Sequence, residues 1–94
     1  MPRKKKDPNV DFLYECVLQL ENIAECEDFF DDLCTLTELR ALAQRIVVAK
    51  MLSEGKVYSD IVKQTGASTA TISRVNRSLQ AGADGYSTVF KRLK

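Results

Sequence analysis

The chain has 94 residues, 45% of them hydrophobic, and no apolar stretch approaches the roughly 18 residues that a membrane span requires. It has no histidine, and Cys16, Cys26 and Cys34 form no C-x-x-C pair, which argues against a zinc site and against the usual pairing of a nucleophile with a base. We therefore expect a cytoplasmic protein that is not an enzyme and holds no metal, with the cysteines as small buried hydrophobes.

The net charge of +1 conceals a segregation of charge along the chain. Residues 1–6 carry four positive charges, residues 7–55 carry three against eleven acids, and residues 56–94 carry seven against two acids. Two basic ends around an acidic middle are expected if the ends meet a polyanion. We predict a flexible basic arm over residues 1–8, which either meets that polyanion or is merely solvated, and a single helical domain over residues 9–94.

Two amphipathic helices are predicted after Pro8. The first has apolar residues at helical spacing from Val10 to Leu20. The second begins at Asn22, since Glu25 follows three residues later as in a helix cap. Its apolar face is formed by Ile23, Cys26, Phe29, Phe30 and Leu33. Both helices have faces that need burial.

A longer third helix is predicted from Leu36 to Ser53. Thr35 and Glu38 have the spacing of a capping box, in which each side chain bonds the backbone amide of the other residue. Gly55 supplies a left-handed stop after the helix. Apolar residues cover more than one stripe of this helix, so it needs cover on several sides. We therefore expect a homodimer with the third helix near its centre.

The segment around residues 58–79 has the pattern of a helix-turn-helix. A short helix starts at Tyr58 and ends at Thr65, and Gly66 lies where the turn needs a residue tolerant of positive φ. Ser68 is a good N-cap for the next helix. In that helix Ile72, Val75 and Leu79 are spaced to pack inward.

The outward side of this second helix carries small hydroxyl residues, an alanine and arginines. Short side chains let a helix approach base edges in the major groove, and arginines reach phosphates or guanine. The positive helix N-terminus favours the phosphate backbone. The predicted DNA-binding residues are Ser68, Thr69, Ala70, Thr71, Ser73, Arg74, Arg77 and Lys63. The alternative is a structural helical hairpin.

A last helix is predicted beyond a short loop at residues 81–85. Its apolar stripe is formed by Tyr86, Val89, Phe90 and Leu93. We expect this helix to pack against either the body of its own subunit or the partner subunit.

Several stretches of the chain resemble the Trp repressor superfamily, and the TrpR-like YerC/YecD family in particular. They are residues 42–45, 52–56 and above all 65–77, with further similarity to YerC/YecD at residues 29–34 and 83–86. The resemblance implies an all-α fold of about six helices, in which the amino-terminal helices of two chains interlock. Two helix-turn-helix heads then reach successive major grooves.

The resemblance also implies an effector pocket. Members that sense tryptophan hold its indole between two arginines, with a threonine and a serine nearby. The corresponding residues here are Thr35, Arg45, Arg74 and Ser78. However, Val75 replaces the glycine that follows the second arginine, and one residue fewer separates Gly55 from Gly66. We therefore expect no cofactor and no free tryptophan as corepressor.

Three of the residues that correspond to the effector pocket also have other interpretations. Arg45 can pair with a carboxylate between Glu25 and Asp32, Arg74 can serve DNA, and Thr35 is first a helix cap. The favoured function is a homodimeric, sequence-specific DNA-binding transcriptional regulator, a repressor, whose partner is duplex DNA. The alternative is a protein-interaction module of the transcription machinery with incidental DNA contact.

Overall fold

The computed structural model describes residues 6–93, and every regular element in that range is an α-helix. The helices are α1 (Pro8–Val17), α2 (Ile23–Leu33), α3 (Leu36–Ser53), α4 (Tyr58–Thr65), α5 (Thr69–Ala81) and α6 (Gly85–Arg92). The all-α prediction with about six helices is therefore confirmed. Most of the basic arm, residues 1–5, lies outside the described residues.

The described residues divide into two compact units, residues 6–39 and residues 40–93. In the first unit, α1 begins at Pro8, where Asp7 Oδ1 accepts a hydrogen bond from the amide of Asn9 at 2.9 Å. The prediction that this helix continues to Leu20 is wrong, because it ends at Val17. The amides of Gln19 and Leu20 bond three residues back, to the carbonyls of Cys16 at 3.0 Å and Val17 at 3.1 Å, so the helix tightens into a turn.

Side-chain caps start the next two helices at the predicted residues. Asn22 Oδ1 accepts from the amide of Glu25 at 2.9 Å, while Glu25 Oε1 accepts from the amide of Glu21 at 2.9 Å, one residue further back than a capping box requires. Thr35 and Glu38 form the full box, with N···O distances of 2.8 and 3.1 Å. These bonds satisfy amides that have no partner within the helix.

The described part of the first unit buries no side chain fully. Phe12 is 64% exposed, Leu18 and Ile23 are each 79% exposed, and Leu36 is 60% exposed. The cysteines are free and half-buried, whereas the sequence predicted buried hydrophobes. A single copy of the chain leaves these apolar faces in contact with water, which opposes folding of the unit by itself.

The second unit contains the hydrophobic core. Its fully buried residues come from α3, α4, α5 and the turn between the last two, and they are Val48, Ala49, Met51, Ile61, Ala67, Ile72 and Val75. The sequence spacing of Ile72 and Val75 predicted their burial correctly, and Leu79 is half-buried. The core lies directly beneath α4 and α5.

The last helix, α6, packs against the hydrophobic core of the chain. Tyr86 and Phe90 lie against the core, with their rings stacked at a centroid distance of 5.9 Å. Lys50 Nζ lies 5.3 Å from the centroid of the Phe90 ring, a cation–π contact. Val89 and Leu93 stay 48% and 60% exposed. Across residues 6–93, no helix is long and apolar enough to cross a bilayer.

Candidate nucleic-acid interface

The corner between α4 and α5 is fixed by backbone geometry. Gly66 has a φ of 73° and ends α4 in the left-handed region, with its amide bonded to the carbonyl of Val62 at 2.9 Å. Residues with a Cβ rarely adopt this conformation. Thr65 Oγ1 donates to the carbonyl of Ile61 at 2.7 Å and accepts from the amide of Ala67 at 3.1 Å. The amide of Ala67, the buried residue of this turn, is therefore satisfied by a local side chain.

The amino end of α5 is capped as the sequence predicted. Ser68 Oγ accepts a hydrogen bond from the amide of Thr71 at 3.1 Å. The Ser68 hydroxyl also donates to the Thr71 hydroxyl at 3.0 Å. The other amides of the first turn lie at the positive end of a helix that starts with no acidic residue. This end is suited to an anion such as a phosphate.

The two sides of α5 differ sharply in exposure. Ile72 and Val75 are 0% and 2% exposed and belong to the core. Of the predicted DNA-binding residues, Thr71 is half-buried and the rest are exposed, namely Ser68, Thr69, Ala70, Ser73, Arg74, Arg77 and, on α4, Lys63. We call the exposed members of this set on α5 the outer face of α5. It combines short side chains with two long cations.

No acidic residue occurs between Asp60 and Asp84, while this stretch carries Lys63, Arg74 and Arg77. Within residues 6–93 the ion pairs join Lys6 to Asp11 and Lys50 to Glu54, so neither involves these three cations. Their charges are not neutralised by a local carboxylate. A positively charged surface of this kind attracts a polyanion.

The four residues of the implied effector pocket fall in both units. Thr35 belongs to the first unit, where its hydroxyl accepts from the amide of Glu38 in the capping box. In the second unit Arg45 is half-buried on α3, while Arg74 and Ser78 are exposed on α5. Val75 lies in the core with 2% of its surface exposed. The pocket stays a prediction.

Two polar contacts between helices were absent from the sequence-based prediction. Gln44 Nε2 on α3 donates to the carbonyl of Thr65 at 3.2 Å, and Asn76 Nδ2 on α5 lies 3.4 Å from the Tyr58 hydroxyl on α4. The polar Gln44 on a largely apolar helix was the signal that could have indicated the first contact. Its partner is a backbone atom 21 residues away, which no spacing rule identifies.

Six helices, a glycine corner and an exposed cationic helix define an all-helical protein of the helix-turn-helix class. The family model of the Trp repressor protein matches residues 8–94. The chain is 50% identical over 91 residues to the uncharacterized protein YerC of Bacillus subtilis (strain 168), covering 97% of this chain and 88% of that one.

Two solved structures are also similar. One is a proposed Trp repressor from Staphylococcus aureus, with a TM-score of 0.88 at 50% identity over 93% of this chain and 87% of that one. The other is a TrpR-like protein from Eubacterium eligens ATCC 27750, with a TM-score of 0.89 at 54% identity over 93% and 90% of the two chains. The chain belongs to the Trp repressor family, in its TrpR-like YerC branch, as the residue pattern predicted.

Proposed function

We propose that the protein is a sequence-specific DNA-binding transcriptional regulator, a repressor, that places α5 in the major groove. The observation that carries this proposal is the outer face of α5, which is exposed, free of acids and anchored from below by Ile72 and Val75. Membership of the Trp repressor family supports it. No enzymatic role is proposed, since the outer face of α5 offers hydroxyls and cations without a base.

The proposed DNA-binding residues have different roles according to the length and charge of their side chains. Thr69, Ala70 and Ser73 are short, so they let the backbone of α5 approach base edges closely. Arg74 is long enough to read a guanine edge or hold a phosphate, and Arg77 neutralises phosphates. Ser68, Thr71 and Lys63 lie beside them and contact the flanking backbone of the duplex.

A homodimer is the proposed form of the protein. The first unit buries no side chain within residues 6–39, although Phe12, Leu18 and Ile23 are apolar and largely exposed. On α3, Leu42, Ile46 and Val47 are also 42–48% exposed. Contact with a second copy would remove this surface from water, and a two-fold dimer presents two copies of α5 to one duplex.

Free tryptophan is not the proposed corepressor. Val75 occupies the position of a glycine, and its branched side chain is 2% exposed within the core. A flat indole beside Arg74 would have to displace that side chain from a close-packed interior. Isothermal titration calorimetry with tryptophan tests this point. Micromolar binding that also tightens the complex with DNA would contradict it.

Selection of bound sequences from a random duplex pool tests the proposed function. We expect a two-fold symmetric consensus whose half-sites lie about 10 base pairs apart. Binding to the selected duplex should weaken steeply with added salt because phosphate contacts release counterions. An affinity that shows no sequence preference, together with capture of one stoichiometric protein partner, would instead favour the interaction-module alternative.

A further inference from the structure

Gln44 joins α3 to the corner of the helix-turn-helix. Among residues 6–93, two side-chain hydrogen bonds connect residues more than four positions apart, and the shorter of them runs from Gln44 Nε2 to the carbonyl of Thr65 at 3.2 Å. The Gln44 side chain is half-buried, so the bond is partly shielded from water. The longer bond, from Asn76 to Tyr58, links α4 to α5 and makes no contact with α3.

The acceptor lies where the chain changes direction. Thr65 is the last residue of α4, and its carbonyl has no partner in that helix because Gly66 turns the backbone away. The next residue along, Ala67, is buried in the core, and Ser68 then caps α5. A bond to the Thr65 carbonyl therefore holds the backbone three residues before Ser68, the N-cap of α5.

The donor lies on a rigid support. Gln44 is one turn before Val48 and Ala49, which are fully buried on α3. The Gln44 amide thus ties the corner to the helix that supplies part of the core. Packing of Ile72 and Val75 fixes the depth of α5, but apolar contacts are not directional and leave its tilt less restricted.

We infer that Gln44 is a positioning residue for sequence recognition, an inference that rests on the proposed function. Base-edge contacts require the side chains of α5 to be placed within about 0.5 Å, whereas phosphate attraction tolerates displacement. Gln44 therefore contributes to the preference for one sequence over another more than to general affinity for duplex DNA. It acts through the Thr65 carbonyl and touches no DNA itself.

The test replaces Gln44 with a side chain of similar length that lacks a donor, Gln44→Met. The measured quantity is the ratio of affinities for the selected duplex and for an unrelated duplex at one salt concentration. We expect this ratio to fall about three- to ten-fold, the effect of losing one hydrogen bond, with the salt dependence of the unrelated duplex unchanged. Gln80→Met, at an exposed glutamine on α5, is the matched control and should keep the ratio.

A control for stability is also needed, because a loosened fold can weaken binding indirectly. Phe90→Leu removes packing from α6 and lowers the melting temperature without touching the corner. We expect it to leave the affinity ratio unchanged. An unchanged ratio in Gln44→Met, or an equal fall in Phe90→Leu, would overturn the inference.

A second measurement separates this inference from the proposed function. Hydrogen exchange at the Gly66 and Ala67 amides should accelerate about three- to ten-fold in Gln44→Met and in Gln44→Glu, which also lacks a donor at neutral pH. Exchange in the core at Val48 should not change. If the wild-type protein shows no sequence preference, the proposed function fails. Unchanged hydrogen exchange at Gly66 and Ala67 in the Gln44 variants would show, independently of that result, that Gln44 does not hold the corner.

Discussion

At Gly66 the backbone has a φ of +73°, and beyond its two chain neighbours no atom lies within 4 Å of the place where a Cβ would be. The position is therefore demanding for conformational reasons and not for lack of space. Gly85, at the start of α6, has equally open surroundings and no positive φ. The two glycines allow conformational strain to be measured apart from steric exclusion.

We predict that Gly66→Ala lowers the free energy of unfolding by about 1 to 2 kcal/mol, the cost of a left-handed residue with a Cβ. Gly85→Ala should stay within about 0.5 kcal/mol of the wild type, because alanine suits the start of a helix at least as well. Urea denaturation followed by circular dichroism measures both. Equal stability of the two variants would contradict the role given to Gly66.

Among the residues on the outer face of α5, we expect substitution of Arg74 to have the largest effect on DNA affinity. Arg74→Ala should weaken binding to the selected duplex by about 1 to 3 kcal/mol if the arginine reads a base. Arg92→Ala removes the same charge from an exposed position on α6 and serves as the control. Fluorescence anisotropy at fixed salt measures both, and an equal loss in the two variants would indicate a general charge effect instead.

The elements differ in how far their sequences determine them. Thr35 with Glu38 and Ser68 with Thr71 form local caps, so the starts of α3 and α5 follow from short-range hydrogen bonding that spacing reveals. The end of α1 was mispredicted because Leu20 continues the apolar periodicity through a turn that is no longer α-helical.

The site shows the same division between local and distant interactions. Burial of Ile72 and Val75 follows from helical spacing, and the exposure of Ser73 and Arg74 follows with it. The bond from Gln44 to the Thr65 carbonyl depends on where α3 lies beside α4, which periodicity does not determine. Likewise, the periodicity of α6 did not show that Tyr86 and Phe90 pack against the core of the same chain.

For α6 we predict that Phe90 supplies most of the packing energy. Phe90→Ala should lower the free energy of unfolding by about 1.5 to 3 kcal/mol, because the ring lies against the core and beneath Lys50. Leu93→Ala, at a position 60% exposed, should change it by less than about 0.5 kcal/mol. Thermal denaturation compares the two. A larger effect at Leu93 would show that this face of α6 is covered in solution.

On the scale of the whole molecule, charge and apolar surface are separated along the chain. The acids concentrate in residues 7–55, and residues 56–94 carry a net positive charge. The described residues that are fully buried all lie at or beyond Val48. The amino-terminal part is therefore suited to association through apolar contact and the carboxy-terminal part to contact with a polyanion.

The proposed dimer can be tested with one matched pair of variants. Ile46→Glu places a charge on the exposed apolar side of α3, where Ile46 is 43% exposed, and should convert the dimer to monomer at micromolar concentration. Val57→Glu introduces the same charge before α4, at a position 57% exposed, and should leave the proposed dimer intact. Sedimentation velocity measures both. A wild-type melting temperature independent of protein concentration would argue against the dimer.

Because residues 6–39 contain no fully buried side chain, the rate at which the protein is degraded would depend on its concentration in the cell. A segment with so little protected surface opens readily, and proteases cleave in proportion to the population of the open form. In the proposed dimer, pairing with a second copy would cover this segment, and mass action makes pairing scarce in dilute solution. If the proposed dimer forms, a cell that makes few copies of the protein would therefore degrade a larger fraction of them.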